Sequence, residues 1–153
     1  MKYEQRILDL SLTLPPVPAP VADYIPAVRS GSLVFVSGQI PMHAGALLAR
    51  GIVPAEVSLE TARQCAVQCT LNALAALKGE IGSFDNLTRV VRLGCFVACD
   101  PGFTDHPKVA DGASELLGTI FTDAGRHARA ALGVASLPLN APVEIEYLFE
   151  VHA

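Results

Sequence analysis

The chain has 153 residues, of which 51% are hydrophobic and 17% are charged, and its formal net charge at pH 7 is −4. A chain of this length can form a single domain with a substantial core. The acidic balance argues against a nucleic-acid-binding protein, which normally carries a basic surface. No apolar run reaches the roughly 18 residues of a membrane span, so we expect the high hydrophobic content to serve a subunit interface.

The N-terminal segment differs from the rest in composition. Its first residues carry charges and lack the apolar centre of a signal peptide, so we expect a cytoplasmic protein. A short amphipathic helix is predicted over Lys2–Leu10. Four prolines between Leu14 and Pro20 then exclude a helix and indicate an extended arm. We therefore interpret residues 1–20 as a helix and an arm attached to a single domain that spans residues 1–153.

The remaining elements follow from hydrophobic periodicity and turn residues. Ser58 is a favourable N-cap for a long helix, and Gly79 is its expected end. The resulting order, β-β-(β)-α-β-α-β-β, predicts one α+β domain in which two helices cover one face of a mostly antiparallel sheet. Before the C-terminal region, strands are predicted at Tyr24–Val28, Leu33–Ser37, Ala46–Leu48 and Leu87–Cys99, and helices at Ser58–Lys78 and Val109–Phe121.

Two segments near the C-terminus have the pattern of strands. Residues 143–151 alternate strictly, which places five apolar residues on one face and three glutamates on the other. A run rich in small apolar residues, 125–136, precedes them across a proline-containing loop, and the two runs together predict a hairpin. In that hairpin Arg129 would lie on the glutamate face, either as a structural ion pair with Glu150 or Glu146 or as part of an anion-binding site.

Four cysteines occur as two pairs spaced four residues apart, and the histidines are scattered. Neither spacing is typical of a zinc site. In an extended strand, Cys95 and Cys99 would lie about 13 Å apart, too far for a disulfide. We expect all four, Cys65 and Cys69 included, to be buried as small hydrophobic residues, and we predict no metal site.

Four short motifs occur along the chain: Ser37-Gly38-Gln39-Ile40-Pro41, Ala128-Arg129, Leu137-Pro138 and Glu144-Ile145-Glu146. Together they resemble those of the Rid family (reactive intermediate deaminases), also called the YjgF family. The resemblance extends from about Pro20 to the C-terminus, and residues 133–139 are similar to a less-characterised branch. It implies a chorismate mutase-like fold and a homotrimer whose sheets close a central barrel, with ligand clefts between neighbouring subunits.

The resemblance also implies an activity and a site. Rid enzymes hydrolyse small enamines and imines to 2-oxo acids and ammonia, and no cofactor is needed. By resemblance, Arg129 would grip the substrate carboxylate, Glu144 would hold the attacking water, and Tyr24, Ser37 and Gly38 would border the cleft. The alternatives are a structural ion pair for the arginine, an interface carboxylate for the glutamate, core packing for the tyrosine and a plain strand end for the glycine.

Two positions depart from the archetypal deaminases. Ala131 stands where they carry a cysteine, and Asp111 stands where they carry an asparagine, so that a negative charge would lie near the carboxylate site. Two alternatives to a deaminase therefore stay open. One is a non-catalytic trimer that binds small carboxylates, and the other is a different small-metabolite reaction on the same fold. In each case the expected partners are a carboxylate-bearing metabolite and further copies of the chain.

Overall fold

The computed structural model describes residues 1–17 and 23–153, so the end of the predicted proline-rich arm lies outside the described residues. One five-stranded sheet has the strand order β1-β2-β7-β5-β6, and β3 and β4 form a separate small hairpin. The elements are α1 (Lys2–Asp9), β1 (Ala27–Ser30), β2 (Leu33–Gln39), β3 (Met42–His43), β4 (Ala46–Leu47), α2 (Leu59–Ile81), β5 (Leu87–Ala98), α3 (His106–Phe121), β6 (Ala128–Val134) and β7 (Val143–Val151).

The long helix α2 begins where the sequence predicts and ends later. The Ser58 hydroxyl accepts a hydrogen bond from the backbone N–H of Thr61 at 3.1 Å, which confirms the N-cap. The predicted end at Gly79 is wrong, because the helix continues to Ile81 and ends at Gly82, whose φ of 78° favours glycine. Gly79 instead makes room for Val17, whose Cγ1 would lie 2.7 Å from a Cβ at position 79.

Helices α2 and α3 pack on one face of the sheet, and the core lies between these two layers. The Tyr147 hydroxyl lies inside this core and is hydrogen-bonded to Thr70 at 2.8 Å. The predicted alternation of β7 is confirmed, since its five apolar residues are at most 3% exposed: Val143, Ile145, Tyr147, Phe149 and Val151.

The predicted hairpin at the C-terminus is wrong. Strands β6 and β7 do not pair, because β5 lies between them, antiparallel to β7 and parallel to β6. The chain leaves β5, passes through α3 and returns along β6 in the same direction, as a parallel crossover requires. The α+β class and the chorismate mutase-like architecture agree with the prediction. The sheet is mixed, with one parallel pair beside three antiparallel pairs.

The cysteines are all free, and three of them are buried as predicted. Burial raises the pKa of Cys65 to about 11 and that of Cys95 to about 12, so these thiols stay protonated and unreactive at neutral pH. Burial also raises the pKa of Cys69 well above its ordinary value. The prediction is wrong for Cys99, which is partly exposed.

The face of the sheet opposite the helices, which we call the open face, carries large apolar side chains. Val28, Phe35 and Leu132 are each between 42% and 49% exposed. In a folded subunit such residues favour burial against another surface. Within the described part of the chain, no helix combines the length and apolar character that crossing a membrane requires.

Candidate functional site

Arg129 lies on the edge strand β6 and is directed towards α3. Its Nη1 donates one hydrogen bond to Asp111 Oδ1 at 2.8 Å and a second to Ser114 Oγ at 3.1 Å. Asp111 and Ser114 are three residues apart on α3 and therefore lie on the same side of that helix. The arginine side chain keeps 25% of its surface exposed, so it is oriented by the helix and still accessible.

The expectation that Arg129 shares a face with the glutamates of β7 is wrong. Arg129 is paired with Leu93 of β5, and Leu93 is paired with Tyr147, whose side chain lies in the core. Directly paired residues project to the same face of a sheet, so Arg129 projects to the helix side and the glutamates project to the open face. Its ion-pair partner is Asp111, and neither Glu150 nor Glu146 takes that place.

A hydrogen-bonded serine and histidine support the arginine. His127 Nδ1 lies 2.7 Å from the carbonyl oxygen of Gly125, and Nε2 lies 2.9 Å from Ser114 Oγ. Because a carbonyl oxygen only accepts, Nδ1 carries a proton, and in the neutral ring Nε2 then accepts the Ser114 hydroxyl. The serine oxygen thereby presents its lone pairs to Arg129.

The sequence pattern did not identify this support. His127 was not among the predicted site residues, but it is partly buried and hydrogen-bonded at both ring nitrogens. Ser114 was not predicted at all. Its spacing of three residues from Asp111 on a predicted helix was the available signal, and that signal becomes meaningful only when the helix is known to face Arg129.

The arrangement leaves one edge of the guanidinium free. Both internal hydrogen bonds use Nη1, and the edge formed by Nε and Nη2 makes no hydrogen bond to the described residues. Two parallel N–H groups on one edge match the two oxygens of a carboxylate. Asp111 puts a negative charge next to the arginine, as expected from the sequence. It contacts Nη1 and leaves the Nε–Nη2 edge of the guanidinium accessible.

Glu144 lies on the open face of the sheet, beside the end of β2. A Cβ at Gly38 would stand 2.8 Å from Glu144 Oε2, so any larger residue there would displace the carboxylate from its present position. The pairing of β2 with β7 is irregular between Val36 and Gln39, and this bulge carries Gly38 towards Glu144. Partial burial, and then repulsion by Glu146, raise the pKa of Glu144 above its ordinary value.

Tyr24 and Gly38 line a common cleft of about 530 Å³ at the end of β2. The tyrosine is 59% exposed, so the alternative that it packs in the core is wrong. Ser37 donates its hydroxyl hydrogen bond to the backbone oxygen of Ile25 at 2.9 Å, which ties β2 to the segment before β1. Its role there is to hold the segment that carries Tyr24.

Ala131 follows Arg129 by two residues and lies on the same side of β6, paired with Cys95 and partly buried against the core. The predicted residues therefore form two groups within one chain. Arg129, Asp111 and Ala131 belong to the β6–α3 edge on the helix side. Tyr24, Ser37, Gly38 and Glu144 belong to the end of β2 and to the open face.

Comparison with known proteins assigns the family. Residues 4–151 match the family model described as "YjgF/chorismate mutase-like, putative endoribonuclease". The chain belongs to the YjgF family. This assignment confirms the Rid resemblance that the sequence motifs suggested.

The YjgF relatives match nearly the whole chain. Protein TCP17 of Trypanosoma cruzi is 37% identical over 144 residues, covering 94% of this chain and 90% of that protein. The 2-iminobutanoate/2-iminopropanoate deaminase of Dermatophagoides farinae is 31% identical over 135 residues, covering 88% and 91%. The crystal structure of Atu1372 from Agrobacterium tumefaciens, a protein with unknown function, matches with a TM-score of 0.91 at 40% identity, covering 99% and 93%.

Proposed function

We propose that this protein is a Rid-type enamine/imine deaminase, a homotrimer that hydrolyses 2-imino acids to 2-oxo acids and ammonia. The observation that carries the proposal is the oriented arginine, which is held through Nη1 and leaves its Nε–Nη2 edge free for a carboxylate. A relative named as a 2-imino acid deaminase, 31% identical to this chain, supports the reaction class. The family fold supports the architecture.

The two groups of residues support a site between subunits. In one chain Arg129 and Glu144 project to opposite faces of the sheet, so they cannot contact the same small molecule. A second copy whose β6 edge approached the open face would bring its arginine towards the first copy's glutamate. The exposed apolar residues of that face, Val28 and Phe35, would be covered by such an approach.

The proposed reaction needs a carboxylate holder and a water-directing base. Arg129 would bind the carboxylate of the protonated imine through two parallel hydrogen bonds. Glu144 would accept a proton from a water molecule as the water oxygen forms a bond to the imine carbon. Glu144 then gives this proton to the amine nitrogen, the C–N bond breaks with its electron pair leaving on nitrogen, and the hydroxyl proton returns to Glu144 as the carbonyl forms, which releases ammonia and the 2-oxo acid. A raised pKa makes Glu144 a stronger base towards water.

The first experiment is calorimetric binding of a short 2-oxo acid to the wild type and to Arg129→Ala, after light scattering has established the trimer. A charged hydrogen bond contributes about 1.5–3 kcal/mol, so we expect the substitution to weaken binding at least about tenfold. Arg126→Ala is the matched control, because it removes the same charge from a side chain that is 84% exposed. Equal affinities of the wild type and Arg129→Ala would exclude this arginine as the carboxylate holder.

A non-catalytic carboxylate-binding trimer is the second candidate. It is favoured by Asp111, which neutralises part of the arginine's charge, and by Ala131, which stands where the archetypal deaminases carry a cysteine. This alternative predicts carboxylate binding that Glu144→Gln leaves unchanged, and no hydrolysis by the wild type. Ammonia release from freshly generated imines distinguishes the two, since the deaminase proposal predicts turnover that Glu144→Gln abolishes.

The family description also names an endoribonuclease. The net charge of −4 does not favour it, because contacts to a phosphate backbone require clustered basic residues. We expect no RNA affinity that falls steeply with salt concentration. A filter-binding titration at two salt concentrations would test this.

A further inference from the structure

The cleft beside Gly38 is apolar to an extent that a small imine does not require. Its volume is about 530 Å³, a size at which pockets hold whole small ligands. Among the described residues that line it there is no aspartate, glutamate, lysine or arginine. The apolar part of the lining comprises Pro15, Pro16, Pro26, Ile40, Met42 and Leu139.

Of the four polar side chains that line the cleft, Asn72 and Gln39 are hydrogen-bonded within the protein, whereas Tyr24 and His43 make no side-chain hydrogen bond to the described residues. Asn72 donates both hydrogens of its amide, to the backbone oxygens of Ile40 at 3.1 Å and Met42 at 3.0 Å. Its own oxygen accepts from Gln68 at 2.9 Å. Gln39 donates to the backbone oxygen of Ser37 at 2.9 Å. These amides hold the wall in place, and the Tyr24 hydroxyl and the His43 ring are the polar groups that remain beside an otherwise apolar lining. We therefore expect most of the contact with a ligand to be apolar.

The N-terminal segment forms a fixed part of this wall. Pro15 and Pro16 line the cleft, and the next residue, Val17, packs against Gly79 of α2. Earlier in the same segment, α1 is anchored by Glu4, which accepts a hydrogen bond from the backbone N–H of Phe84 at 2.8 Å. Arg6 adds a bond to the backbone oxygen of Ile120 at 3.0 Å. The described part of the arm is therefore a structural wall of the cleft.

Gly38 lines the cleft and lies against Glu144, so the cleft and the proposed reaction centre share this residue. We infer that the cleft binds the side chain of the substrate and selects 2-imino acids that carry a branched or aromatic hydrocarbon group. This inference rests on the proposed function, because the position of Glu144 defines where the reacting carbon lies. A methyl side chain would leave most of the cleft filled with water.

The expected preference follows from the area that the side chain buries. Each methylene transferred from water to an apolar site contributes about a fourfold gain in binding. An isobutyl group has three more carbons than a methyl group, so complete burial would favour it by about sixtyfold. Because the cleft is open on one side, we expect a preference of about tenfold to sixtyfold for the leucine-derived imine over the alanine-derived imine.

The experiment compares imines generated from alanine, leucine and phenylalanine by an amino-acid oxidase, and measures kcat/KM for each. In parallel, calorimetry compares the binding of pyruvate and 4-methyl-2-oxopentanoate. The test variant is Leu139→Asn. Leu139 is 64% exposed and has a φ of 58°, a conformation that asparagine adopts more readily than leucine, so the fold is retained. Leu8→Asn is the matched control, at a position on α1 that is 66% exposed and outside the cleft.

We expect Leu139→Asn to lower the preference for the leucine-derived over the alanine-derived imine by about threefold to tenfold and Leu8→Asn to leave it unchanged. Turnover of all three imines without a preference for the larger ones would overturn the inference and leave the proposed function intact. A neighbouring subunit that fills the cleft would also overturn it, and would appear as a trimer that Leu139→Asn weakens on dilution. If the protein neither turns over an imine nor binds a ligand, the proposed function is overturned, and this inference with it.

Discussion

Replacing Asp111 by asparagine tests the charge of the residue that holds Arg129. An asparagine Oδ1 can still accept the hydrogen bond that the carboxylate accepts at 2.8 Å, so the arginine keeps its orientation while the negative charge is removed. Hydrogen bonds of about 2.8 Å on both sides of the guanidinium would separate Asp111 from a bound carboxylate by about 6–7 Å. Two like charges at that distance repel by about 0.6–2.5 kcal/mol, for effective dielectric constants between about 80 and 20.

Physiological salt reduces this repulsion by about half. We therefore expect Asp111→Asn to bind a short 2-oxo acid about twofold to eightfold more tightly than the wild type, measured by calorimetry. Asp105→Asn is the matched control, because it removes the same charge from the start of the same helix, where the carboxylate lies 3.5 Å from Lys108. Weaker binding by Asp111→Asn would refute the reasoning, since it would mean that the ion pair's hold on Arg129 outweighs the repulsion.

Three further predictions concern packing, ionisation and thiol reactivity. In α3, a Cβ at Gly112 would lie 2.4 Å from the backbone oxygen of Arg63, so Gly112→Ala should lower the free energy of unfolding, measured by urea titration, by about 1–3 kcal/mol. A Cβ at Gly118 of the same helix would have no atom within contact distance, so Gly118→Ala should raise the free energy of unfolding by about 0.5–1 kcal/mol. The pKa of Glu144 is raised in the folded protein, so the folded state holds its proton longer and stability falls as pH rises from the unfolded-state pKa through the folded-state pKa. Glu144→Gln should remove that fall in stability. Identical pH profiles of urea unfolding for the wild type and Glu144→Gln would contradict a raised pKa at Glu144. Cys99, the partly exposed thiol, should react with an aromatic disulfide reagent in the folded protein, whereas the other three should react only after unfolding; rapid labelling of more than one thiol would be inconsistent with this packing.

Local features of the fold were predictable because they depend on neighbours in the chain. The alternation of residues 143–151 specifies a strand with one buried face, whichever strands lie beside it. Ser58 caps α2 through a bond to the backbone three residues on, which is also a local contact. The end of the same helix was not predictable in this way. Gly79 and Gly82 are both plausible terminators, and only the position of Val17 shows that the first one serves packing.

The composition of the candidate site was predictable, but its geometry was not. The sequence by itself determined that a permanently charged arginine and a glutamate-bearing strand occur close together in the chain, and that a glycine lies near the end of β2. Which face Arg129 presents depends on strand order, and only the tertiary structure decided that β5 lies between β6 and β7. Strand order depends on how α3 packs across the sheet, and that packing joins residues far apart in the chain. For the same physical reason Asp111, Ser114 and His127 meet Arg129 only once the fold has formed.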